Sequence, residues 1–293
     1  MAWGATMTRT ALITGASSGI GATCAVALAA KGFRVFLMAR RRQPLEHAAE
    51  TINAAHSACD RAAWFAGDVT DASARQAAVQ AMMDRWGRID VLVNNAGYAL
   101  PGVCEEVSLE NVRDQFEVNT FAALAMMQRV GPQMRRQGHG RIINMSSISG
   151  RLSFPSLGMY AASKHALEAI SDAARQEFRP WNIQVVLIEP NEIATDIWLR
   201  SRDLIRAEPE RLRQSPFAPF YARQARWIDR VLKSGAASTD AVARAVCRAA
   251  TARRPRARYC LPAKARVRML MIYLPASWQD WLIRQALHRV SDR

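Results

Sequence analysis

TALITGASSGIG, residues 10–21, is the stretch on which the fold turns. Thr10–Thr14 is a short apolar run that ends at Gly15, which reads as a buried strand entering a glycine-rich turn. Residues 20–31 are alanine-rich and predict a helix stopped by Gly32. Between strand and helix the glycines are spaced GxxxGxG, at Gly15, Gly19 and Gly21. Glycines there let the backbone turn tightly and approach a pyrophosphate, and the N–H groups at the helix start face its negative charge. Such a turn by itself is only a tight connection. Its position after an N-terminal strand and before a helix is what points to a dinucleotide.

The same alternation continues outward. RVFLMA (34–39), AWFA (63–66), IDVLV (89–93), RIINM (141–145) and IQVVLI (183–188) are short, continuous apolar runs. Helical patterns separate them at 40–58, 72–86, 109–134 and 159–178, and a further helix at 239–250 and an edge strand at 257–261 follow. Runs of this kind belong to a parallel sheet covered on both faces, and right-handed crossovers make it a doubly wound, Rossmann-type α/β domain. We expect one such domain over 1–262, with a lid insertion at about 196–235, and a basic amphipathic tail over 263–293. Residues 200–234 are polar, basic and dotted with Pro209, Pro216 and Pro219, which reads as an insertion.

Charge is distributed unevenly. The chain has 293 residues and a net charge of +15; residues 1–199 carry 19 Lys/Arg against 18 Asp/Glu, residues 200–293 carry 21 against 7. The body is near neutral and the excess sits in the last third. The five cysteines, Cys24, Cys59, Cys104, Cys247 and Cys260, are odd in number and not at metal-ligand spacing. They predict reduced thiols in a cytoplasmic protein without a structural metal. The first fifteen residues lack a secretory apolar core, and the longest apolar run of the tail, 269–276, is too short to span a bilayer.

Strand two ends Met38-Ala39-Arg40-Arg41-Arg42. An NAD site usually places an acidic residue here for the ribose 2′-hydroxyl; Arg40 and Arg41 instead suit a 2′-phosphate, so NADP(H) is expected. Ser17, Ser18 and Ile20 complete the phosphate turn. Asp68 and Val69 stand after strand three, where an adenine ring would lie, and Asn95, Ala96 and Gly97 let the backbone come close to the cofactor ribose.

Tyr160 and Lys164 are four apart in a helical stretch and share one face. A free tyrosine has a pKa of about 10. A neighbouring ammonium favours tyrosinate, so the pair can supply a general acid or base. Ser146, Ser147 and Ser149 lie just past strand five, and any of them could bond a substrate oxygen where charge develops.

Taken together, TGASSGIG (14–21), NNAG (94–97), a helix asparagine, SSISG (146–150) and YAASK (160–164) closely resemble the short-chain dehydrogenase/reductase family over roughly residues 8–196. The resemblance implies roles. Tyr160 would be the acid/base, Lys164 would lower its pKa and hold the nicotinamide ribose, and Ser147 would polarise the carbonyl. Asn119 would hold a water in a proton relay toward Lys164. Pro190, Ile193 and Thr195 would meet the nicotinamide end, and a homodimer or homotetramer would be the assembly. One departure is Asn191, where the family shows glycine after the proline; asparagine tolerates the left-handed conformation such a turn would need. His165, on another helix face, is read as structural.

The segment after Thr195 holds Ile197, Trp198, Leu199, Leu204, Ile205, Phe217, Phe220, Tyr221 and Trp227. These residues either line a site for a bulky hydrophobic substrate or pack the lid onto the body. The tail is basic, then apolar; Pro275 breaks it, and Ser277-Trp278-Gln279-Asp280 has the form of a capping box opening a second helix. It would lie on an anionic membrane, close the pocket or pack on a partner subunit. Each of these fits NADP(H)-dependent exchange of a ketone and a secondary alcohol on a lipophilic, steroid-, retinoid- or long-chain-like molecule. The rival enzyme reading is a reductase of a small polar carbonyl or 3-oxoacyl thioester. A non-catalytic NADP-binding regulator is disfavoured by the intact set Asn119, Ser147, Tyr160 and Lys164. Nucleic-acid binding is disfavoured because the tail aromatics fall at helical spacing with Leu and Ile.

Overall fold

The computed structural model describes residues 8–56, 60–191, 193, 199, 201–203, 209–233, 238–262 and 265–291. Its centre is a seven-stranded, fully parallel sheet of β1 (Thr10–Thr14), β2 (Arg34–Ala39), β3 (Ala62–Ala66), β4 (Val91–Asn94), β5 (Gly140–Met145), β6 (Ile183–Pro190) and β7 (Arg258–Leu261). Their spatial order is β3-β2-β1-β4-β5-β6-β7. The order reverses between β1 and β4, and the loops that diverge there open a crevice at the strand C-termini.

Side-chain alternation explains why the strands read as unbroken apolar runs. Ala11, Ile13, Val35, Leu37, Val91 and Val93 face one buried layer. Leu12, Phe36, Met38 and Leu92 face the other. Each fully buried Leu or Ile contributes about 1.5–3 kcal/mol, so a one-residue slip of any central strand would move such side chains to the wrong layer. The helices α1 (Gly19–Ala30), α2 (Arg42–Ala55) and α9 (Thr239–Thr251) cover the first face; α3 (Ala72–Trp86), α5 (Ala122–Gln137) and α6 (Gly158–Glu177) cover the second, and α4 (Leu109–Phe116) packs on α6.

Three local findings go beyond the sequence expectations or differ from them. The helix expected to run unbroken through 109–134 contains a π-helical turn at Glu117–Phe121 between α4 and α5, with Asn119 in its middle. The segment read as an insertion carries two helices, α7 (Pro209–Gln214) and α8 (Ala218–Lys233). Pro209 opens α7 and Pro219 is the second residue of α8, positions where a missing N–H costs no helical hydrogen bond. The tail forms α10 (Ala265–Met269), a 3-10 turn (Leu270–Tyr273) and α11 (Ala276–Ser291), which packs on α8. Because α11 begins at Ala276, Ser277 lies inside its first turn and is not the cap.

Candidate active site

A cleft of about 470 Å³ opens along the C-terminal ends of the strands. It is lined by Gly15, Ser17, Ser18, Gly19, Ile20, Arg40, Arg41, Asp68, Val69, Asn95, Ala96, Gly97, Tyr160, Lys164, Pro190 and Ile193, all of them residues expected from the sequence. Gly21 lies behind the turn: a Cβ there would collide with the Gly15 carbonyl oxygen. At Gly15, with φ +65°, a Cβ would stand 2.8 Å from Ala96 Cα, so the turn and β4 can approach only because the residue is glycine. Thr195 lies outside the described residues.

The turn is tied to β4 by hydrogen bonds. Asn95 Nδ2 donates to the carbonyls of Thr14 (3.0 Å) and Gly15 (3.2 Å). Thr14 Oγ1 accepts from the backbone N–H of Asn95 (3.0 Å) and of Ala96 (3.1 Å). Thr14 is thus a positioning residue that the sequence reading passed over as the last apolar-run residue. Ser18 caps α1 without a side-chain bond to its first N–H groups. Arg41 Nη2 instead donates to the hydroxyls of Ser17 (3.2 Å) and Ser18 (3.0 Å), which holds a guanidinium over the helix N-terminus. Arg40 stands 3.8 Å from Asp68. Close backbone, an open helix N-terminus and a guanidinium beside it form a set of donors that fits a phosphorylated dinucleotide.

At the inner end of the cleft, Tyr160 and Lys164 stand one turn apart on α6, both buried. Lys164 Nζ donates to Met145 O at 2.9 Å and lies 6.0 Å from the centre of the Tyr160 ring. Burial, rather than the spacing to Lys164, sets the direction of the Tyr160 shift. Burial among Ala99, Leu157, Ile228 and Val231 pushes Tyr160 up to about 12, and a hydrogen bond with Ser147 pulls the other way. Burial also brings Lys164 down to about 8, opposed by Glu168. Burial is the largest influence on each of the two groups.

The three serines separate by position. Ser146 Oγ faces Gly150, where a Cβ would meet it at 2.7 Å. Ser149 donates its N–H to Ser147 Oγ at 3.1 Å. Ser147 is the one that bonds Tyr160, and its hydroxyl also donates to Pro190 O at 3.3 Å. Asn119 does not line the cleft. It is buried one layer behind, with Oδ1 accepting from Tyr98 N (3.0 Å) and Nδ2 donating to Tyr98 O (2.9 Å) and Ser163 Oγ (3.0 Å). A Cβ on Gly97 would stand 2.9 Å from Asn119 Oδ1 and 3.4 Å from Lys164 Nζ, so this glycine keeps the space between them open.

Behind Lys164 lies an ionic cluster the sequence did not signal. Arg258 of β7 meets Glu168 (3.0 Å), Asp172 (2.6 Å) and Glu189 (3.1 Å). Burial, with the charge of Glu168, lifts Glu189 to about 7. Asn191 needs no left-handed conformation, since among the described residues the non-glycine ones with positive φ are Ser156 and Asn182; its N–H donates to Leu261 O at 2.7 Å. His165 is exposed and its ring bonds the Ala161 carbonyl (2.9 Å).

A second cavity, about 290 Å³, joins the first at Ser147 and Asn191. Its walls include Phe154, Leu157, Phe220, Trp227, Met271, Leu282 and Ile283, with Arg223, Gln224 and Arg268 as polar members. Of the aromatic lid residues, Phe220 and Trp227 line it. Phe217 and Tyr221 instead pack with Val103 and Leu212, and Tyr221 Oη donates to Glu106 Oε2 at 2.7 Å. Leu199 is exposed, and Ile197, Trp198, Leu204 and Ile205 lie outside the described residues. Phe154 and Leu157 were missed, although FPSLG just ahead of Tyr160 is an apolar loop in an otherwise polar connection.

Comparison with known proteins agrees with this geometry. A family model described as short chain dehydrogenase matches residues 9–204. The "Probable short-chain type dehydrogenase/reductase VdlC" of Helicobacter pylori is 34% identical over 276 residues, 94% of this chain and 96% of that protein. The NADPH-dependent 3-dehydrocapnine reductase of Ornithobacterium rhinotracheale is 32% identical over 292 residues, 97% and 99% of the two chains. Among solved structures, a short chain dehydrogenase/reductase from Burkholderia phymatum in complex with NAD superposes with a TM-score of 0.78 at 26% identity, covering 90% of this chain and 92% of the other. The match over most of the chain, by model and by full-length relatives, makes this protein a member of the short-chain dehydrogenase/reductase family, an NAD(P)-binding oxidoreductase acting on CH–OH and C=O groups.

Proposed function

We propose that the protein is an NADP(H)-dependent oxidoreductase that interconverts a ketone and a secondary alcohol on a bulky, lipophilic substrate. The observation that carries this reading is the junction of the two cavities at Ser147, beside Tyr160, with an apolar second cavity leading away from it. Residues 1–262 form the catalytic unit in this reading, with the lid at about 196–235, and 263–293 are an appended tail. Two supports favour NADP(H) over NAD: Arg41 already sits over the Ser17 and Ser18 hydroxyls, and a relative of nearly equal length is NADPH-dependent. The fold's relatives use both cofactors, so the arginines carry the choice.

When bound, the cofactor supplies or accepts hydride; everything else is the work of this chain. In reduction, Tyr160 Oη donates its proton to the carbonyl oxygen as negative charge grows there. A phenol lifted to about 12 is in the required protonated form at neutral pH. Ser147 Oγ donates a hydrogen bond to the same oxygen. The Lys164 ammonium stabilises the tyrosinate left behind, and it holds the nicotinamide ribose from its place beside Met145. A water in the space that Gly97 keeps open between Asn119 and Lys164 would return the proton, and Asn119 fixes that space by tying the Tyr98 loop to α6. In the opposite direction the phenol must first lose its proton, so alcohol oxidation rises with pH across the neutral and alkaline range.

Buried, reduced Cys24 and Cys247 fit a cytoplasmic protein. Family membership favours a homodimer or homotetramer, which light scattering reads. Among the described residues no helix is long and apolar enough to cross a membrane. The direct test is Tyr160→Phe: turnover falls by about a thousandfold while NADPH affinity stays within about threefold. Turnover near wild type in that variant would remove Tyr160 from the chemistry.

A further inference from the structure

The tail roofs the second cavity, but it has a second apolar side that faces outward. Ten large hydrophobic side chains are exposed among the described residues, and five of them, Val267, Leu270, Tyr273, Trp278 and Trp281, fall between residues 267 and 281. Their exposures run from 55% to 78%. Their spacing is regular. Val267, Leu270 and Tyr273 follow at intervals of three along α10 and the 3-10 turn, where residues three apart stack on one face. Trp278 and Trp281 are three apart on α11. The opposite side of the same segment is already used: Met269 packs with Ile148, Leu152 and Cys260, and Leu282 and Ile283 line the cavity. A helix pair roofing a soluble enzyme would show charge on its outer side. Here Arg268 and Asp280 are exposed in company with two tryptophans, a tyrosine and two aliphatic residues.

The surrounding charge selects the occupant. Residues 253–293 carry ten Lys/Arg and two Asp/Glu. A second copy of this chain docked face to face would bring two such basic segments together. A nucleic acid would satisfy the charge but leave Val267 and Leu270 against phosphate. An anionic bilayer satisfies both, taking Trp and Tyr at the headgroup level and Leu and Val below it, with Arg and Lys on lipid phosphates.

We propose that the outer face of 267–281 docks this enzyme on an anionic lipid surface, so that the substrate cavity opens at the membrane. Arg268 and Met271, both lining residues of that cavity, lie within the docking segment. A lipid ketone therefore passes from the bilayer to Tyr160 without crossing bulk water; this last step rests on the lipophilic-substrate reading, whereas docking does not.

The test is co-sedimentation of the full chain with vesicles of phosphatidylcholine, with and without phosphatidylglycerol. The expected result is binding to the anionic vesicles that falls at least about tenfold in the Trp278→Ser, Trp281→Ser double variant and falls steeply with added salt. NADPH affinity serves as the folding control, since neither tryptophan touches the cofactor cleft. Absence of binding to either vesicle, equal binding to phosphatidylcholine alone, or equal binding by the variant overturns the proposal. So does a dimer that the double variant dissociates, which would assign the face to a second copy. Vesicle binding without turnover of lipid ketones would strike the proposed substrate and leave docking intact.

Discussion

The two cavities share Ser147 and Asn191 and are otherwise built by different means. The cofactor cleft is made of strand ends and first turns, and backbone atoms and short polar side chains hold it. Thr14, Asn95 and Gly15 lock two strands together with hydrogen bonds close to 3 Å. The second cavity is made of side chains on separate segments, the loop at 147–157, Asn191 after β6, α8, α10, the 3-10 turn and α11. The first kind of site tolerates almost no change of residue type, because it depends on glycine conformations and on polar groups tied by hydrogen bonds. The second accepts hydrophobic exchange at modest cost. In the proposed function, reaction and cofactor are set by the sheet, and the choice of substrate by what is packed above it.

Charge reversal at the cofactor mouth tests the first half of this contrast and carries the largest of the following effects. Arg41→Glu removes the guanidinium over Ser17 and Ser18. Loss of charge-assisted hydrogen bonds to a 2′-phosphate weakens NADPH binding by about ten- to a hundredfold, with NADH binding nearly unchanged. Equal losses for both cofactors in a fluorescence titration would show that Arg41 only shapes the turn. The second half is probed by Trp227→Ala. Shortening an apolar wall raises KM for a bulky ketone by about tenfold, and kcat/KM for a small ketone moves little. A matching loss on the small ketone would mean that Trp227 supports Tyr160 instead of the substrate.

The smallest effect concerns the ionic cluster of Arg258, Glu168, Asp172 and Glu189. Burial raises Glu189 from 4.5 to about 7 in the folded state. Between those values the folded protein keeps a proton that the unfolded chain has lost, so this contribution to stability is full below pH 4.5 and is lost as pH rises through about 7. Denaturant unfolding should show a decline of about 2 kcal/mol over that window, reduced in Glu189→Gln, with Arg258 still paired to Glu168 and Asp172. An identical decline in the variant would place the titration elsewhere in the cluster.

What could be read from the sequence follows the same division. TALIT at 10–14 and RVFLMA at 34–39 are strands at the expected residues, because full burial on both faces forces a continuous apolar run. The phosphate turn, the arginines and YAASK are local in sequence, and the structure sets them in one cleft. The π-turn at Glu117–Phe121 was not legible, since EVNTF has nothing to distinguish it from ordinary helix; packing of Asn119 against Tyr98 and Ser163 accompanies it. The helix α8 was hidden by neighbouring prolines although Phe220, Gln224, Trp227, Ile228 and Val231 are spaced for one apolar face. A Tyr–Lys spacing reveals proximity but not burial, and burial sets the direction of the Tyr160 shift. The Arg258 cluster joins residues from α6, β6 and the far edge strand, a meeting that only the topology creates.

The measurement that bears most directly on the account is NADPH oxidation by the purified full chain against ketones graded from small and polar to long-chain and polycyclic. Turnover with NADPH concentrated on the long-chain and polycyclic members is expected. Turnover confined to small polar ketones or acyl thioesters would contradict the reading of the second cavity and keep only the family's reaction.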